Sequence, residues 1–217
     1  MNYGTKVTLL GKTFLTEPGG YSTILEEASD DYIESVSEAE ALVEYAGRLC
    51  WNSEDKLGET KDRVQKWIGV GHESLLEHAS MTFLIEGSRV FTHQLVRHRI
   101  ASYSQRSQRF VKETEVSVII PPQVGEHPEL GPESAKLMEA IWAFYKKQLS
   151  YGVKADQARY VLPNATRTQI ATTMNFRELR HFIRLRTSKK ASGEMREIAD
   201  QIRGICKEEA PSVFEDL

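Results

Sequence analysis

The chain has 217 residues, 40% apolar and 27% charged, with a formal net charge of −3. That length suits one domain with a sizeable core, so a disordered chain is excluded. The slightly acidic total excludes a polycation built to coat nucleic acid, and no run approaches the ~18 uninterrupted apolar residues of a bilayer helix.

The first residues (Met1, Asn2, Tyr3, Gly4, Thr5, Lys6) lack the apolar stretch of a secretory signal. Lys6 to Leu10 reads as a strand leading into a loop with Gly and Pro. Ser37 and Glu40 form a capping-box pattern ahead of Ala41, Leu42, Tyr45 and Leu49 at helical spacing. Cys50, following Leu49 on that face, is expected in the core. The second cysteine, Cys206, lies near the C-terminal end, and no CxxC occurs, which predicts neither a disulfide framework nor a thiolate metal site. A reducing cytoplasm is the expected setting. A second helix is predicted from about Lys61 to Val70, stopped by Gly71, and Met81 to Glu86 reads as a strand. Ser88 is placed to cap a helix to about Val96, with Val90, Phe91, Gln94 and Leu95 in phase.

Past Arg99 the periodicity fails, so Ser102 to Gln108 is predicted as a polar loop before a strand at Val116 to Ile120. Pro121 to Pro132 reads as a loop between two halves of a single domain spanning residues 1–217. The second half is mostly helical. Glu133 to Tyr151 carries Leu137, Ile141, Phe144, Tyr145 and Gln148 along one face and stops at Gly152. A short helix ends before Pro163, because a residue preceding proline avoids the α region. Thr166 to Met174 suits a strand, after which Asn175 caps a helix bearing Leu179, Phe182, Ile183 and Arg186. A last helix carries Met195, Ile198, Ile202 and Ile205. The predicted class is a mixed α/β (α+β) fold, a central sheet flanked by long helices.

Between Gly87 and Val111 there is no acid and no lysine, yet Arg89, Arg97, Arg99, Arg106 and Arg109 fall there with His93 and His98. Guanidinium groups bind oxyanions in two-point fashion, so arginine-only enrichment suits oriented binding of a small anion. A solvated basic face is the competing reading. Arg97-His98-Arg99 also complements a helix C-terminus whatever else it does. Ser102, Ser104, Gln105, Ser107 and Gln108 add short uncharged donors and acceptors fit for a phosphate, a sugar hydroxyl or a base edge. Such a patch also admits a non-catalytic nucleic-acid module, which the acidic total and the sparse aromatics disfavour.

His72, Glu73, Glu77 and His78 invite a zinc reading, but two histidines six apart point ~240° apart on a helix at ~100° per residue, so no metal is predicted. Gly71-His72 closing a helix with Glu77 in local hydrogen bonds, or a ligand-facing loop, both remain open. Asn175 and Arg177 begin a helix, where free N–H groups favour an anion. Arg186 falls on an apolar stripe and wants a carboxylate, a carbonyl or a ligand. No GxSxG elbow, Gly-rich phosphate loop or GxGxxG fingerprint occurs.

Arg97-His98-Arg99 followed after seven residues by Ser107 resembles the signature of the flavin-dependent thymidylate synthases. Gly71-His72-Glu73-Ser74 with Glu77-His78, the run RHRIASYSQRSQR, Ala158 to Pro163, Asn175 and the segment His181 to Arg186 follow that family's order and spacing over roughly residues 40–205. The resemblance implies that family's fold and the synthesis of dTMP from dUMP. Methylenetetrahydrofolate would be the carbon donor, FAD the redox centre and NADPH the reductant. It implies a homotetramer with active sites shared between subunits, and no nucleic-acid or membrane partner. It implies FAD contacts from Ser74, Arg97, His98, Arg99, Gln105, Asn175, Arg177 and His181. dUMP contacts would come from Gln94, Arg97, Gln105, Arg106, Ser107, Gln108, Arg109, Arg159 and Arg186. His72 would lie near the flavin and folate, and Arg186, a permanent cation, would stabilise charge on the pyrimidine without a cysteine nucleophile. Many relatives carry an acid in place of Gln105 and a tyrosine in place of Phe110; some carry an asparagine in place of His181.

Overall fold

The computed structural model describes residues 3–25, 28–59 and 62–217, and Met1, Asn2 and Lys61 of the predictions above lie outside them. The elements in chain order are β1 (Lys6–Lys12), α1 (Gly19–Leu25), α2 (Asp30–Ser35), α3 (Glu38–Leu49) and α4 (Arg63–Gly69). There follow β2 (Ser80–Ser88), α5 (Arg89–Leu95), β3 (Ser102–Gln105), α6 (Pro122–Gly125), α7 (Leu130–Ser150) and α8 (Ala155–Ala158). The chain ends with β4 (Arg167–Asn175), α9 (Phe176–Arg186), α10 (Gly193–Glu209) and α11 (Pro211–Phe214). A mixed α/β architecture with long helices is what the sequence predicts.

The four strands form one antiparallel sheet in the order β1-β2-β4-β3. Strands β2 and β4 alternate buried and partly exposed residues as a half-buried sheet requires. Register pairs Met81 with Met174, Phe83 with Thr172 and Ile85 with Ile170, all on the buried side. Met195, Ile198, Ile202 and Cys206 of α10 and Phe176, Leu179, Phe182 and Ile183 of α9 complete that core. A smaller cluster of Leu15, Ile24, Leu25, Tyr32 and Ala41 sits under α1 to α3.

Three helix starts are fixed by caps readable in the sequence. Ser37 and Glu40 exchange the two hydrogen bonds of a capping box at α3. The Ser88 hydroxyl accepts from the Phe91 N–H (3.1 Å) and donates to Glu194 of α10 (2.6 Å), tying α5 to the layer below. Gly87 allows this approach, since a Cβ there would meet Phe91 at 2.8 Å. Asn175 Oδ1 accepts from the Glu178 N–H (2.8 Å) and starts α9.

Several expectations are corrected. Ser102 to Gln105 is an edge strand rather than loop, held to β4 by backbone pairing from Ser102–Thr173 to Gln105–Ile170. The run Val116 to Ile120 forms a single bridge, Val118 to Thr166, because the sheet edge beside it is taken by β3. The stretch from Pro121 to Pro132 is not plain loop: it holds α6 and the first turn of α7. Cys50 is exposed, since α3 ends at Leu49 with Leu49 itself 57% exposed. On α7 the buried side chains are Met138, Trp142 and Tyr145, whereas Leu137 and Phe144 face outward. No helix among the described residues is long and apolar enough to cross a membrane.

Candidate active site

At the C-terminal end of α5 the chain turns through Arg97-His98-Arg99 against α9. His98 is buried and packs on Glu178, His181 and Phe182, which share one helical face at i, i+3 and i+4. Its Nδ1 lies 2.8 Å from Glu178 Oε1, and the Arg186 Nε–H donates to its Nε2 at 3.0 Å. An arginine nitrogen only donates, so Nε2 is the acceptor and Nδ1 carries the proton toward Glu178. Burial, opposed by the Glu178 hydrogen bond and reinforced by the Arg186 charge, holds the imidazole below its usual 6.5. His98 is therefore neutral at pH 7 and works as a spacer between an acid and a permanent cation. Tyr103 of β3 braces the turn, its hydroxyl within 3.0 Å of the Leu95 carbonyl and 2.7 Å of that of His98. Burial pushes this phenol up to about 12, so it stays protonated.

This arrangement fixes a pH dependence. The unfolded chain takes up a proton near 6.5 and the native chain resists it, so the stability from neutral His98 is full above 6.5 and falls as pH drops toward the lowered native value. Melting temperatures recorded from about pH 8 to 5 are expected to show that acid limb, and His98→Gln is expected to flatten it.

The ligand-capable atoms of His98, Glu178 and His181 lie within 4.8 Å of one another. Distance alone would admit a metal ion. The Arg186 guanidinium, however, occupies the Nε2 side at 3.0 Å and would repel a dication, so the residues read better as a hydrogen-bond relay.

Beside the relay lies a hollow of about 500 Å³ lined by Glu73, Glu77, Asn175, Arg177, His181 and Arg184, among others. Its far wall is the one-turn 3-10 segment Ser74–His78, so the histidines flanking Glu73 to Glu77 never sit on an α-helix. Among the described residues the Glu77 carboxylate makes no local bond and meets Arg177 at 2.6 Å. Glu73 reaches Arg177 at 3.8 Å and Arg184 at 3.3 Å. His72 is exposed, its ring edge-on to Trp51 with centroids 6.4 Å apart. A second hollow of about 500 Å³ under α2 and α3 is lined by Asp31, Glu40, Glu44, Glu59 and Asp62, an acidic lining that repels phosphates.

The remaining candidates divide. Arg159 lies at the opposite end of α5, where burial, reinforced by the Arg159 charge, lowers the pKa of Arg89; the seven-residue α5 separates the two ends by about 10 Å. Gln105 donates to Thr92 Oγ1 (3.1 Å), and Ser107 Oγ accepts from the Arg109 N–H (3.2 Å). Gln108 is buried with no partner for its Nε2 among the described residues. Gln94 is half-buried, Ser74, Arg97, Arg99 and Arg106 are exposed, and Arg109 lies over the exposed Phe110 ring at 5.4 Å. One chain thus brings His98, Asn175, Arg177, His181 and Arg186 together but turns Arg97, Arg99, Arg106 and Arg109 outward. Arg186 finds a neutral imidazole nitrogen, not the carboxylate, carbonyl or ligand anticipated for it.

Sequence reasoning missed Glu178 and Arg184 as members of these clusters, and it singled out Glu73 and Arg89 without their partners: Arg177 and Arg184 for the first, Arg159 for the second. Glu178 is the third residue after Asn175, a position that reads as an ordinary first-turn acid. Arg177, His181 and Arg184 stand at i, i+4 and i+7, a helical stripe that spacing alone reveals.

The family model described as "Thymidylate synthase complementing protein" matches residues 32–212. The chain is similar to the flavin-dependent thymidylate synthase of Thermococcus onnurineus, 45% identical over 174 residues that cover 76% of this chain and 70% of that one. The protein of the same name from Geobacter sulfurreducens is 41% identical over 195 residues, covering 85% and 84%. That of Corynebacterium diphtheriae is 36% identical over 231 aligned positions, covering 97% and 89%.

Proposed function

The chain belongs to the flavin-dependent thymidylate synthases, and we propose that it forms dTMP from dUMP by reductive methylation, with 5,10-methylenetetrahydrofolate as carbon donor, FAD as redox group, NADPH as reductant and no cysteine nucleophile. The observation that carries this reading is the Glu178–His98–Arg186 relay, which holds a permanent cation at a fixed place beside a ligand-sized hollow.

The residues present fit a flavin dinucleotide. Asn175, Arg177 and His181 line the hollow with an amide, a guanidinium and an imidazole, and Ser74, exposed between Glu73 and Glu77, would join them. Arg97, His98, Arg99 and Gln105 would complete the cofactor contacts. Bound FAD, once reduced, supplies the hydride that completes the methyl group. The protein's own part is orientation and charge. Gln94, Arg97, Arg106, Ser107, Gln108, Arg109 and Arg159 hold the nucleotide, with Gln105 shared between nucleotide and flavin. Arg186 faces the pyrimidine and stabilises negative charge developing there, which enriches the carbon that attacks. His72 would meet flavin and folate.

The cysteines support a route without a thiolate. Burial pushes the Cys206 thiol far up, and Cys50 sits at the exposed end of α3 with its sulfur 3.5 Å from the Ala46 carbonyl. The outward arginines, and the separation of Arg159 from Arg186, support sites completed by neighbouring copies, hence a homotetramer. So does α7: Leu130, Leu137 and Phe144, with Tyr151 just past its end, recur every seven residues and are 45% to 80% exposed, a seam suited to another helix. The shared core of β2, β4, α9 and α10 supports one domain over 1–217, and we place the enzyme in the cytoplasm.

The test is direct. Purified protein is expected to be yellow, or to become so with FAD, and to release the C5 hydrogen of dUMP when NADPH and methylenetetrahydrofolate are present. A protein that FAD cannot reconstitute refutes the cofactor assignment; dTMP formed without methylenetetrahydrofolate refutes the carbon donor.

A further inference from the structure

We propose that Arg184 is a further residue of the flavin site: with Arg177 it forms a two-guanidinium clamp for the cofactor's diphosphate, and Glu73 and Glu77 are internal counter-ions that the diphosphate displaces. The inference rests on the FAD reading above and adds residues to that same hollow.

Arg177, His181 and Arg184 form one stripe of α9 at i, i+4 and i+7, and all three line the hollow. The two arginines start about 10 Å apart along the helix axis, within reach of one group for two long side chains. Their side chains are 51% and 47% exposed, so they can turn toward a ligand without unpacking a core. Across the hollow, Glu73 bridges both arginines and Glu77 holds Arg177.

Acids on the opposite wall neutralise the cations now. FAD is anionic at its diphosphate, and an arginine pair suits two phosphates by two-point hydrogen bonding. Binding therefore exchanges carboxylate for phosphate partners. The exchange is feasible because these ion pairs are solvent-accessible and individually weak. Arg184 also lies 3.5 Å from Asp216, a long contact that does not fix it.

The experiment measures affinity of flavin-free protein for FAD and for riboflavin, which carries the same ring without the diphosphate, by quenching of flavin fluorescence. Arg184→Gln is expected to weaken FAD about tenfold and leave riboflavin unchanged. Glu77→Gln is expected to tighten FAD about threefold, again without effect on riboflavin. Unchanged FAD affinity in Arg184→Gln overturns the clamp while leaving the flavin assignment intact. Equal weakening of both flavins overturns it too, since that signals a general structural role. Wild-type protein that takes up neither flavin sinks the cofactor assignment itself and the clamp with it.

Discussion

Replacing Arg186 with alanine is expected to lower turnover about a hundredfold to a thousandfold, the loss typical of one preorganised donor facing developing charge. The side chain is half-buried, and its one hydrogen bond within the described residues goes to His98, a neutral acceptor. Its positive charge is thus not spent on a carboxylate and remains available to a bound pyrimidine. Glu178 and the burial of His98 keep that acceptor in the right tautomer, so the relay positions the cation at no cost to its charge. Arg186→Lys keeps the charge but loses the fork and the Nε contact, and partial recovery is expected at most. Steady-state kinetics with FAD affinity measured alongside separate the possibilities. A fall in kcat with flavin binding retained supports the charge role; unchanged kcat in Arg186→Ala removes it.

What the sequence makes legible is what short-range chemistry determines. Ser37, Ser88 and Asn175 each start a helix as their side chains dictate, because a cap bonds within its own turn. The Arg97-His98-Arg99 turn is equally readable as a basic helix end. Distant partners are not. β3 is a polar edge strand whose place depends on backbone pairing with β4, some 70 residues onward, and no alternation of side chains announces it. Conversely, Val116 to Ile120 has a strand's side chains but only one bridge available to it. The apolar stripe of α7 misleads for another reason: Leu137 and Phe144 face outward, whereas Met138, Trp142 and Tyr145 serve the chain's own core. In the site, the acids Glu73 and Glu178 are invisible as partners until α9 is folded against the Ser74–His78 turn and the end of α5.

Loss of Asp216 is expected to be the most damaging change outside the site, at about 3 kcal/mol. Arg180 of α9 is fully buried, and both its terminal nitrogens donate to Asp216 at 2.6 Å. It also donates to the Val213 carbonyl of α11. Asp216→Ala strands a guanidinium that cannot shed its proton in the interior. The value sits at the lower end for a broken buried pair because the Asp216 side chain is 35% exposed and water can reach the gap. For a chain of this size the melting temperature should fall by roughly 6–12 °C. The hydrogen bonds of Arg180 hold the Asp216 carboxyl at about 2, below its ordinary 3.8. Its stabilisation is accordingly present above 3.8 and lost as pH falls toward 2, and the variant should lack that part of the acid transition. The pair also fastens the C-terminal segment to the helix that carries His181, Arg184 and Arg186. Gln65 reinforces the dock by donating to the Ser212 carbonyl at 2.9 Å. If charge stranding is the cause, adding Arg180→Met to Asp216→Ala should recover much of the stability, since an apolar side chain of similar length fills the site without needing a partner. A double variant no more stable than the single one would mean that packing of α11, and not the buried charge, governs this end of the chain.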